Sequence, residues 1–169
     1  MPILHCTAKL LSELKLQSKD LLPASGDVNS WHANLFLIDR RKCVIFTHDK
    51  TLYSFLALGL TKPDFQYFKE IFRQGLFKSL MANEIQQKQL ERFIALNHDI
   101  EFGKTSSRSV LGSMNDLIFH IKYRISADGG ILNADINKAN QYINHIVMGA
   151  IGGSYSIDEL EKYLKNMDG

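Results

Sequence analysis

The sequence predicts an α+β domain, a mainly antiparallel sheet of four to five strands covered by helices. Residues 33–58 hold three apolar runs, Ala33 to Ile38, Cys43 to Thr47 and Leu52 to Leu58, separated by the polar clusters Asp39-Arg-Arg-Lys42 and His48-Asp-Lys-Thr51. Runs rich in β-branched and aromatic residues between short polar turns are the pattern of an antiparallel meander. Both alternating faces of the first run are apolar, Leu35 and Leu37 on one and Phe36 and Ile38 on the other. Neither face of the sheet is therefore left to water, and the helical periodicities flanking the meander supply the cover.

Ile3 to Cys6 reads as a short strand. Thr7 is positioned to cap a helix carrying Leu10, Leu11 and Leu14 on one side. Residues 17 to 30, with Pro23-Ala-Ser-Gly-Asp27, are polar and turn-rich, so a mobile loop is expected there. After the third strand, Pro63-Asp64 places proline and an acid in the first turn of a helix whose buried stripe is Phe65, Phe68, Phe72, Leu76 and Leu80. A second helix from about Glu84 to Leu96 buries Leu90, Phe93 and Ile94.

His98 to Lys104 alternates as a further strand, and Thr105-Ser-Ser107 offers caps for the next helix. Val110, Leu111, Met114, Leu117, Ile118, Ile121 and Ile125 follow helical periodicity and are expected to lie on the sheet. Asp128-Gly-Gly130 ends that helix, and Leu132, Ile136, Ala139, Ile143 and Ile146 mark another. Ser156-Ile-Asp-Glu159 matches a capping box before a short helix with Leu160 and Leu164 inside. A single domain over 1–169 follows.

Composition narrows function. Twenty Lys and Arg against 18 Asp and Glu leave a net charge of +2, too small to announce nucleic-acid binding by the whole domain. Any anion site is local. No run approaches the ~18 apolar residues of a membrane span, and the opening Met-Pro-Ile-Leu-His-Cys-Thr has no basic stretch and apolar core of an export signal. No membrane partner and a cytoplasmic location are the expectation. Cys6 and Cys43 each lie in an apolar strand, so both are expected reduced and buried.

Phosphate-loop, dinucleotide-binding, Cys-x-x-Cys, His-Glu-x-x-His and nucleophile-elbow motifs are absent from the sequence. No cofactor or metal is expected, although His5, His32 and His48 fall near strand ends, where a metal site is conceivable. Asp39-Arg-Arg-Lys42 is read first as a solvated hairpin turn and second as a phosphate-binding tip. Phe65, Phe68 and Phe72 at helical spacing are core rather than a base-stacking platform.

The stretch from Lys104 to Asp116 carries most of the functional signal. It sets Lys104 and Thr105 at a strand end and serines at a helix start, where free N–H groups and the positive end of the helix dipole attract anions. Arg108, Gly112 and Asn115 share a helix face beside the apolar stripe. The competing reading has Thr105, Ser106 and Arg108 only capping the helix and pairing with Asp116.

Taken as a set, His5-Cys6-Thr7, Trp31-His-Ala-Asn34, Asp39-Arg-Arg-Lys-Cys43, Lys62-Pro-Asp-Phe65, Arg108-Ser-Val-Leu-Gly-Ser-Met-Asn-Asp116 and Met148-Gly-Ala-Ile151 resemble a family of small bacterial, phage and mobile-element proteins catalogued as a domain of unknown function. The resemblance spans nearly the whole chain and implies a full-length single domain, a bacterial accessory protein without an assigned activity.

Three functions compete. One is a module binding a nucleotide or nucleic-acid phosphate through Lys104, Thr105, Arg108 and Asn115, with Trp31 and His32 nearby. Another is a metal-independent nuclease of toxin type, with His5 or His32 as general acid or base and Arg108 stabilising phosphate charge. The third is a protein-interaction module such as an antitoxin or inhibitor.

Overall fold

The computed structural model describes residues 1–24 and 29–168. The centre of the expected mobile loop, residues 25–28, lies outside the described residues. The main sheet comprises β1 (Ile3–Cys6), β2 (Trp31–Ile38), β3 (Arg41–His48), β4 (Ser54–Leu60) and β5 (Glu101–Lys104), in the order β4-β3-β2-β1-β5. Strands β2, β3 and β4 form the expected antiparallel meander. The expectation of a mainly antiparallel sheet needs correction, because β1 pairs in parallel with both β2 and β5. Two of the four pairings are thus parallel.

The helices are α1 (Ala8–Glu13), α2 (Lys62–Gln66), α3 (Phe68–Ala82), α4 (Gln87–Leu96), α5 (Arg108–Ala127), α6 (Ile136–Ile143) and α7 (Ser156–Asp168). They cover both faces. On one face Leu4, Trp31, Val44, Phe46 and Phe55 pack against Leu10, Phe68, Phe72, Leu76, Phe93 and Leu160. On the other, Phe36, Ile38, Ile45 and Leu56 pack against Met114, Leu117, Ile121 and Ile143. Cys6 and Cys43 belong to opposite faces and are both free thiols. Burial raises the pKa of each above the ordinary thiol range.

Local chemistry shifts several element ends. The β2–β3 hairpin turns on Asp39 and Arg40, both at positive φ, as a two-residue loop with right-handed strand twist requires. Asp39 is not merely solvated there, since its carboxylate accepts the Ile131 N–H at 2.8 Å. The helix expected over 63–80 is broken at Tyr67, whose φ of −116° and ψ of 38° separate α2 from α3. Leu132 falls outside α6 and is 79 % exposed, because Asp135 starts that helix by accepting the Asn137 and Lys138 N–H groups.

Two expected caps take other partners. Thr7 makes no cap hydrogen bond, and its hydroxyl donates to Asn34 Oδ1 at 3.0 Å instead. Ser156 is buried and donates to Asn144 Oδ1 at 2.8 Å, while Glu159 accepts from the Ser154 hydroxyl at 3.1 Å. The capping box is therefore replaced by a tertiary hydrogen bond. Ser107, by contrast, caps α5 as the sequence suggests, accepting the Val110 N–H at 3.2 Å.

Candidate functional site

Successive side chains of a strand point to opposite faces, and this alternation decides where each candidate residue lies. Trp31 turns into the aromatic core, fully buried, with its ring edge-on to His48, Phe55 and Phe72. Its indole N–H donates to Asn97 Oδ1 at 2.8 Å. His32, the next residue, turns toward the α5 side.

There it meets His5, its partner in the parallel β1–β2 ladder. The two rings stack with centroids 4.8 Å apart. The His5 Nδ1–H donates to the Lys104 carbonyl at 2.7 Å. His32 accepts the Ser106 N–H on Nε2 at 3.1 Å, so its proton sits on Nδ1 and is donated to Asp49 at 2.7 Å. Desolvation lowers the pKa of His5, outweighing its bond to the Lys104 carbonyl, with a further lowering from His32. Asp49, which the sequence reading did not single out, and Ser106, read there only as a cap, thus fix both nitrogens of His32.

His48, the third histidine near a strand end, is sealed in the opposite core. Its Nδ1 meets Thr51 Oγ1 at 2.9 Å and its Nε2 meets Asn29 Oδ1 at 3.1 Å. Burial drives its pKa down to about 3. Among the described residues, no cluster of three or more His, Cys, Asp and Glu is arranged to hold a metal ion. No helix among them is long and apolar enough to cross a membrane.

Arg108 borders a different space. A cavity of about 370 Å³ lies between α5 and the segment at 146–150, lined by Arg108, Ser109, Gly112, Ser113, Asp116 and His120 from the helix. Arg108, Gly112, Asp116 and His120 recur every fourth residue, so they form one row along α5. A Cβ added at Gly112, or at Gly149 across the cavity, would meet nothing within 4 Å. Helix interiors disfavour glycine by about 1 kcal/mol relative to alanine, and no packing here explains Gly112. Its effect is to leave backbone bare at the cavity floor.

Electrostatically the cavity is mixed. The Arg108 side chain has no hydrogen bond or ion pair among the described residues, and neither has that of Asp116. The N–H groups of Arg108 and Ser109 have no acceptor among those residues either, whereas Ser106 and Val110 give theirs to His32 and Ser107. Lys104 and Asn115 are exposed and Thr105 half-buried; none of the three lines the cavity. The structure brings His5 and His32 together with the Lys104–Ser106 backbone, gathers Arg108 with Asp116 and His120, and separates Trp31 from both groups. Asp116 and His120 were legible as the continuation of the Arg108-Gly112 row.

No curated protein and no solved structure matches the chain. A family model described as domain of unknown function DUF6933 matches residues 3–159, so this chain belongs to that family.

Proposed function

We propose that the protein binds a small phosphate-bearing ligand, of the size of a mononucleotide, in the cavity between α5 and the 146–150 segment. The observation that carries this reading is the unpaired Arg108 guanidinium beside the open Arg108 and Ser109 N–H groups, at the rim of a cavity floored by Gly112. A helix start concentrates positive partial charge, and arginine adds a planar fork matched to phosphate oxygens. The cavity volume falls within the ~300–1,000 Å³ range of small-molecule sites.

Asp116 lies eight residues along the row from Arg108, about 12 Å at the rise of an α-helix. A carboxylate there repels a second phosphate and accepts from hydroxyl or amino groups. That pairing favours a ligand with one anionic end and one hydrogen-bond-donating end, such as a nucleotide, over a long polyanion. Proton transfer at His32 has less support, because both its ring nitrogens are engaged.

Titration of the 15N-labelled protein with adenosine monophosphate, and separately with inorganic phosphate, tests the reading. Amides of residues 104–109 and 112 should shift with adenosine monophosphate. Arg108→Ala should abolish those shifts while changing stability by less than about 1 kcal/mol, as for other exposed arginines. Unperturbed wild-type amides with both probes would remove the proposal.

A second reading rests on different residues. Phe119 and Tyr123, 72 % and 73 % exposed, sit one turn apart on the outer side of α5, and Val147 is also exposed. Exposed aromatics in a row suit a protein partner. Loss of a copurifying protein on Phe119→Ser with Tyr123→Ser would favour this alternative.

A further inference from the structure

Strand β4 is one edge of the main sheet, and its first outward-facing groups are covered in an unusual way. The Ser54 N–H donates to Asn144 Oδ1 at 2.9 Å, and Asn144 Nδ2 donates back to the Ser54 carbonyl at 2.7 Å. The Leu56 N–H donates to Asn140 Oδ1 at 2.9 Å. Asn140 of α6 and Asn144, which caps the end of that helix one turn later, therefore occupy the positions of a neighbouring strand. Their cover stops at Leu56.

Main-chain groups of a strand alternate sides, so Leu58, next in the series of Ser54 and Leu56, turns its N–H outward. Just beyond Leu56 the β3–β4 register slips, with Leu58 and Gly59 unpaired to β3 and Gly59 at a φ of 65°, so the open edge ends in a bulge. In front of them lies a cavity of about 500 Å³ between β4, α3 and the segment leading into α6. Leu58, Leu60, Ile71 and Leu132 give it apolar walls, and Arg41 and Lys78 border it. Both cations are exposed, and neither side chain has a hydrogen bond or ion pair among the described residues. No acidic residue borders the cavity.

We propose that residues 57–60 of β4 form a docking edge for an extended, acidic segment of a partner protein, which adds to the sheet as a further strand. An open strand edge is satisfied only by another backbone with the same alternation of donors and acceptors. Alternate side chains of that segment enter the apolar cavity, and carboxylates meet Arg41 and Lys78. The two unpaired cations without an acid select an acidic occupant over a neutral or basic one. The site is separate from the α5 cavity and does not depend on its ligand.

The test uses the 15N-labelled full chain with two short peptides, one alternating valine and glutamate and the other alternating valine and lysine. The acidic peptide should shift the amides of 57–60 and slow hydrogen exchange at the Leu58 N–H, and the basic one should not. Arg41→Glu combined with Lys78→Glu should weaken the acidic peptide by at least about tenfold and create affinity for the basic one. An unchanged core spectrum shows that the double variant is folded. Absence of binding by both peptides, or equal binding of the two, overturns the proposal. Leu58 protection that rises with protein concentration alone also overturns it, assigning the edge to a second copy of the chain.

Discussion

The main-chain N–H of Ser106 donates to Nε2 of His32 at 3.1 Å, tying the start of α5 to β2 across 74 residues of sequence. The same ring donates to Asp49, so removing it strands a donor and a carboxylate together. His32→Ala should destabilise the fold by about 2 kcal/mol, because the ring is fully buried and stacked on His5 while the stranded Ser106 N–H and Asp49 carboxylate keep some access to water. Urea unfolding measures the loss, and hydrogen exchange should show the Ser106 amide opening first. An unchanged unfolding midpoint would refute this account of the α5 start.

His48 makes stability depend on pH. Its folded pKa of about 3 lies below its value near 6.5 in the unfolded chain, so the unfolded state binds more protons between those two values. Stability is fully present above pH about 6.5 and falls as the pH drops toward 3, by up to about 1.4 kcal/mol per pH unit for one such group. His5, also lowered, adds a contribution of the same sign. His48→Gln should flatten the dependence in a series of denaturant titrations. A wild-type stability flat from pH 7 to pH 5 would contradict the burial argument.

Gly112→Ala separates packing from binding. With open space at the Cβ position, alanine should raise stability by about 0.5–1 kcal/mol through helix propensity. If a ligand approaches the bare backbone, the same change should weaken the phosphate-ligand shifts described above. A stability gain with unaltered ligand shifts would mean that the cavity floor is not a contact.

Asn144 joins three elements. Its amide pairs with both main-chain groups of Ser54, and its carbonyl also accepts from Ser156. Asn144→Ala should therefore cost about 3 kcal/mol, and Ser156→Ala, which removes one hydroxyl, about 1 kcal/mol. In calorimetry the two losses should be less than additive when combined, since they share a bond. Strict additivity would show that the Ser156 hydroxyl stabilises something else.

Local pattern carried a good deal of this fold. The meander, the α5 stripe and the Ser107 cap are all encoded by nearest neighbours, which is where periodicity and capping preferences act. The parallel placement of β1 between β2 and β5 is not, because no short-range pattern names a strand's distant partner. Asn140 and Asn144 fall outside the apolar seam that marks α6 in the sequence, yet they are buried against β4, and only the tertiary fold turns amides into strand mimics. For the candidate site, the reading grouped Trp31 with His32 because they precede the run beginning at Ala33. Once β2 begins at Trp31, alternation sends the two side chains apart. Arg108 and Gly112 were legible as one row, whereas the 146–150 wall opposite them was not, because only the tertiary fold brings that later segment against α5.

The position of β1 also sets an order of events during synthesis. This strand leaves the ribosome before the rest of the sheet, yet the Lys104 carbonyl that accepts the His5 N–H lies 99 residues later. Until β5 is made, β1 has β2 on one side and nothing on the other, so a nascent chain carries an open, apolar edge through Ile3 and Leu4. Such contacts between distant residues slow folding, and an unpaired edge recruits other chains. A chain stalled before residue 101 is thus a species prone to aggregate, and arrival of the β5–α5 segment both closes the sheet and locks His32 through Ser106.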